Sequence, residues 1–106
     1  MVGAVLTNTT RAEDGSVVVD VHDEVDLFTA GDLRQVLTDA AALRPRRIVV
    51  DLEHVTFIDS TGLSALIGGR SDAHALGVAY TVRNPSAFVV TQLRKTRLYE
   101  ILVTDS

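Results

Sequence analysis

The chain has 106 residues, the size of one ordinary domain, and aromatic residues make up only 5% of it, so its core must be aliphatic. With no cysteine, disulfides, thiolate zinc sites and thiol catalysis are excluded. A formal charge of −4 argues against a nucleic-acid partner, and no apolar run reaches the roughly 18 residues of a membrane helix.

The N-terminus also lacks the basic region and apolar core of a signal peptide, so a soluble, cytoplasmic protein is expected, read as a single domain over residues 1–106. Residues 2–10 alternate weakly and predict a first strand. Glu13, Asp14, Gly15 and Ser16 form a polar turn, and the valine-rich stretch 16–21 predicts a second strand that closes a hairpin. Residues 23–26 read as a polar loop. Thr29 then opens a helix, with Asp32 placed close to a capping box, and Leu33, Val36, Leu37 and Ala40 mark its apolar face. Arg44 before Pro45 ends it.

The continuous apolar run 48–52 suits a central strand covered on both faces. Leu63, Leu66, Ile67 and Ala73 define a second helix, which Gly68 and Gly69 weaken and Gly77 stops. Residues 78–82 predict another strand. Asn84, Pro85 and Ser86 make a turn and cap for a third helix carrying Phe88, Val89 and Leu93, and residues 99–103 predict a last short strand. The expected fold is α/β: a mainly parallel, mixed sheet with an N-terminal hairpin and three or more helices packed on it.

The densest chemistry lies at Phe57-Ile58-Asp59-Ser60-Thr61-Gly62-Leu63, where an apolar stretch gives way to helical period. Ser60 is expected at the helix N-cap. Three readings compete there. Ser60 caps a helix and nothing more; Ser60 is a catalytic nucleophile; or Ser60 accepts a phosphoryl group from a partner kinase. Catalysis lacks support, because the G-x-S-x-G elbow is absent and His22, His54 and His74 form no arrangement with an acid. Phosphoacceptance is physically coherent. A phosphoserine carries about −1.5 to −2 charge, which a helix N-terminus tolerates. A receiver-like reading would use Asp51 as acceptor and Asp23, Glu24 and Asp26 as its acidic companions. It fails for want of a lysine on the last strand, since Lys95 is the only lysine and falls in the third helix. No spacing suggests a metal site.

Those residues resemble a STAS domain, and among STAS domains the free-standing anti-sigma factor antagonists of the SpoIIAA and RsbV type. The resemblance rests on Glu24-Val25-Asp26, the 48–52 strand, the Asp59-Ser60-Thr61-Gly62-Leu63 step, Gly77 and Leu93. It implies a non-enzymatic regulator without a cofactor. Unmodified, such a protein binds an anti-sigma factor serine kinase and frees a sigma factor. Phosphorylation, on Ser60 rather than Thr61, ends the binding, and a phosphatase acting on phospho-Ser60 restores it. The implied docking residues are Asp26, Thr29, Asp59, Ser60, Thr61, Gly62, Leu63 and Ser64, with neither a membrane nor nucleic acid as partner. Two positions depart from the family pattern, which often has glycine where Asp23 and Ser64 stand. The alternative within the fold is a STAS scaffold module of the stressosome or lipid-transport kind.

Overall fold

The computed structural model describes residues 6–104. Strands β1 (Leu6–Arg11) and β2 (Ser16–Val25) form the hairpin, turning at Gly15 with φ of 89°. Helix α1 (Ala30–Ala42) leads to β3 (Arg47–Ile58), α2 (Ser60–Ala75) to β4 (Ala79–Arg83), and α3 (Ala87–Lys95) to a π-helical turn, Glu100–Thr104. The sheet order is β1-β2-β3-β4, antiparallel for the first pair and parallel for the other two. The hairpin and the mixed, mainly parallel sheet are therefore as expected. Residues 2–5 of the first expected strand lie outside the described residues.

Pairing register puts Val17, Val19, Ile48, Val50, Tyr80 and Val82 on one face of the sheet, all almost fully buried. Helices α1 and α2 pack on that face and on each other. Tyr80 donates its hydroxyl to the Leu66 carbonyl of α2 at 2.8 Å, and Arg34 of α1 pairs with Asp72 of α2 at 3.1 Å. The glycine pair of α2 sits at this seam. A Cβ at Gly69 would lie 2.6 Å from Leu37, and one at Gly68 would fall on the Arg34 guanidinium. Gly69 is thus a condition of close helix packing, whereas at Gly68 the exposed Arg34 side chain has room to swing aside.

Three elements differ from expectation. Residues 23–25 belong to β2, which runs on through two register shifts, with Asp23 at a φ of 65°. A bulge of this kind bends the strand and lets polar residues continue the ladder. Strand β3 extends past residue 52 to Ile58, because Val55 and Ile58 keep an inward face while Glu53, His54, Thr56 and Phe57 are exposed. Residues 99–103 form no strand. They coil over β4, burying Leu102, with Thr81 Oγ1 donating to the Val103 carbonyl at 3.2 Å.

Candidate docking site around Ser60

The C-terminal ends of β2 and β3 meet at one corner, where the Asp59 N–H donates to the Val25 carbonyl at 3.2 Å. Asp59 has an extended backbone and Ser60 is already helical, so Asp59 is the N-cap of α2 and the expected cap at Ser60 is displaced by one residue. Asp59 Oδ1 accepts from the N–H groups of Thr61 (2.9 Å) and Gly62 (3.1 Å) and from the Thr61 hydroxyl. Desolvation pushes the Asp59 carboxyl upward. The bonds from the Thr61 hydroxyl and from the Gly62 and Thr61 N–H groups, together with the nearby Leu27 N–H, outweigh it and hold the carboxyl below the usual aspartate range.

The consequence for the two hydroxyls is opposite. Thr61 is committed to Asp59. Ser60 is exposed, and among the described residues its side chain makes no hydrogen bond. Gly62 explains the third member of the motif. A Cβ there would stand 2.6 Å from Ile58, 2.8 Å from the Val25 side chain and 2.9 Å from the Val25 carbonyl oxygen. The first turn of α2 lies against the end of β2 at a distance that excludes any side chain.

The β2–α1 loop is tied down beside this corner. The Asp26 N–H donates to Thr29 Oγ1 at 2.9 Å, and that hydroxyl donates to the Glu24 carbonyl at 3.0 Å. Asp26 Oδ1 accepts from the Phe28 N–H at 2.9 Å. Thr29 heads α1 but caps nothing with its side chain, so the expected capping box is not formed. It is 6% exposed and serves as the knot of the loop. What the knot presents is Leu27 and Phe28, each 70% exposed, with the Leu27 N–H near enough to help lower the Asp59 carboxyl. Sequence reasoning passed over both residues. Their signal was present, an apolar pair just before a helix and outside its 3.6-residue pattern.

On the other flank Leu63, Ser64, Ile67 and Gly68 form one side of a shallow, mostly apolar groove of about 370 Å³, with Ser60 at its end and Thr96 and Leu98 opposite. Leu63 is largely buried at its floor and Ser64 is exposed. The corner is acidic: no lysine or arginine occurs between Arg11 and Arg34 or between Arg47 and Arg70.

A family model described as the STAS domain matches residues 8–106. This chain belongs to the STAS domain family. Among curated STAS relatives, the anti-sigma-B factor antagonist of Staphylococcus aureus is 39% identical over 59 residues, 56% of this chain and 55% of that protein. The chain thus spans about half the length of the curated relatives it matches. A solved anti-sigma factor antagonist from Mycobacterium paratuberculosis superposes with a TM-score of 0.77 at 27% identity, covering 93% of this chain and 83% of that one. The Bacillus cell fate determinant SpoIIAA in its phosphorylated form superposes at 0.71, with 18% identity, 92% of this chain and 89% of that one.

Asp23, which stands where the family often has glycine, takes a φ of 65°, the conformation in which glycine is unstrained. Aspartate tolerates this region better than most residues, so the departure is accommodated. Among the described residues no cluster of three or more metal-ligating side chains occurs, and no helix is long and apolar enough to cross a membrane.

Proposed function

We propose that this STAS domain is an anti-sigma factor antagonist acting in the cytoplasm, switched by phosphorylation of Ser60. In the unmodified state the Ser60 corner docks on an anti-sigma factor that is itself a serine kinase, and a sigma factor is released. The kinase then transfers the γ-phosphoryl group of ATP to Ser60 Oγ, taking the hydroxyl proton and releasing ADP, and the complex separates. A phosphatase returns the hydroxyl.

The observation that carries this reading is the division of labour at the first turn of α2. Asp59 caps the helix, Thr61 is tied to Asp59, and Ser60 alone is left exposed and unbonded. The named relatives support it. Leu27 and Phe28 are the apolar contacts of the docking surface. Asp26 and Thr29 hold their loop, Gly62 sets the close approach, and Leu63 and Ser64 line the groove. A dianion on Ser60 lies at a helix N-terminus, which favours it by about 0.3–1 kcal/mol, so the fold survives modification. Pressed against a partner surface fitted to a neutral hydroxyl, the same charge is desolvated without a counter-ion, a penalty of several kcal/mol. At about 1.4 kcal/mol per decade, affinity falls a hundredfold or more.

The test combines calorimetry with intact-mass measurement, using the cognate anti-sigma kinase. The wild-type chain should gain about 80 Da, one phosphoryl group, in the presence of ATP. Ser60→Ala should bind normally and gain nothing. Ser60→Asp should keep its circular-dichroism spectrum and lose about a hundredfold in affinity. Phosphorylation of Ser60→Ala to the wild-type extent, or full affinity in Ser60→Asp, rejects the assignment.

A further inference from the structure

The chain holds three phenylalanines, and the core uses none of them. Phe28 is 70% exposed, and Phe57 and Phe88 are each 38% exposed, while Tyr80 and aliphatic side chains fill the interior. The parallel strands put all three at one end of the molecule. Phe28 follows the C-terminal end of β2, Phe57 is the penultimate residue of β3 and the register partner of Glu24, and Phe88 stands in the first turn of α3. Ser60 opens α2 three residues after Phe57.

Phe57 and Phe88 touch, with ring centroids 5.3 Å apart and planes tilted by 37°. Strand β4 makes room for this contact by stopping short: it pairs with residues 47–51 of β3, and α3 starts beside the remainder. The two rings are not what fastens α3. Ser86 Oγ donates to the Val55 carbonyl at 2.6 Å, the Ser86 N–H donates to the Leu52 carbonyl at 3.3 Å, and Val89 and Leu93 are fully buried. A partly exposed aromatic pair is thus surplus to the packing of the helix, and aromatic side chains of this kind are enriched at protein interfaces and dominate their energetics.

The same end is acidic. Residues 20–29 and 53–60 contain Asp20, Asp23, Glu24, Asp26, Glu53 and Asp59 and no lysine or arginine. The cations of α3 stand in its last turn, at Arg94 and Lys95. A second copy of this chain laid on the patch would bring like charges together, which disfavours it as the occupant. An apolar surface ringed by lysine or arginine is complementary in both respects. We infer that Phe57 and Phe88 form a second apolar contact of the docking surface for the anti-sigma kinase, met by a cationic, apolar face of that partner. This contact rests on the docking proposed for the Ser60 corner, and adds to the Leu27–Phe28 loop an anchor on the α3 side.

Calorimetry and stopped-flow binding with the cognate anti-sigma kinase test this. Phe57→Ser combined with Phe88→Ser should keep the circular-dichroism spectrum and weaken binding at least about tenfold. Phe88→Ala alone, which should weaken binding in the same direction, serves should the double variant fold poorly. Glu53→Gln should slow association and flatten its dependence on salt. At saturating kinase and ATP the double variant should still gain about 80 Da on Ser60. Wild-type affinity in both phenylalanine variants, with Ser60→Asp still impaired, overturns the second contact and leaves the Ser60 switch standing. Failure of the wild-type chain to bind the kinase removes both. Dimerisation of the chain in sedimentation runs, abolished in the double variant, would assign the rings to a contact between copies and also overturn the inference.

Discussion

Asp59 and Ser60 are neighbours with separate duties. Asp59 carries the cap, so Asp59→Ala should lower unfolding free energy by about 1–2 kcal/mol in urea titrations. Ser60→Ala should change it by less than about 0.5 kcal/mol, as exposed substitutions do. Equal losses in the two variants would mean that the serine shares the cap. Sequence alone placed the helix start within one residue and misassigned the cap, for a plain reason. Aspartate and serine are equally good N-caps, so residue type cannot choose between them when they are adjacent. The choice is made by the backbone, which turns helical at Ser60 and not before.

Among the elements, the junction of β3 with α2 depends on a glycine that no cap rule explains. Gly62→Ala forces a methyl group to within 2.9 Å of the Val25 carbonyl oxygen, which belongs to backbone and cannot rotate away. The expected loss is about 1–3 kcal/mol, read as a lowered urea midpoint, together with weaker docking because the Asp59 corner shifts. A stable Gly62→Ala with unaltered binding would show that the close approach is dispensable. The onset of α2 was legible because hydrophobic period changes there from a continuous run to 3.6 residues. The length of β3 was not, since Glu53 and His54 interrupt its apolar run on the exposed side. The C-terminal segment was misjudged on composition. Tyr99, Ile101 and Val103 suit a strand, yet strand propensity counts only where a partner edge is taken up. Here the segment caps β4 as a helical turn instead.

Across the whole molecule, acid stability should draw on four aspartates whose carboxyls the fold lowers, Asp14, Asp51, Asp59 and Asp72, of which Asp51 is the buried one. Asp51 is 6% exposed on the sheet face opposite α1 and α2. Burial pushes its carboxyl up, but the Arg83 guanidinium, the Glu53 N–H and the Asn84 amide together hold it below the usual range, as the Thr61 and Gly62 donors do for Asp59. A carboxyl lowered by folding stabilises the native state above its unfolded value of about 3.9. That contribution is lost as pH falls through the still lower folded value. Thermal midpoints should therefore be level from pH 7 to about 5 and fall below about 4. Asp51→Asn should start lower at pH 7 and lose less on acidification. A parallel acid curve in that variant would remove Asp51 from the account.

The seam between α1 and α2 reaches further than its own contacts. Arg34 and Leu37 occupy the room left by Gly68 and Gly69, midway along a helix whose first residue is Ser60. Eight residues of helix amount to about 12 Å. Gly69 thus acts as a fulcrum. Bulk added there would press on Leu37 and Tyr80, tilt the rod and displace its tip, so the address at which the serine is offered is set from the middle of the helix, by residues that no visitor to the tip would ever touch.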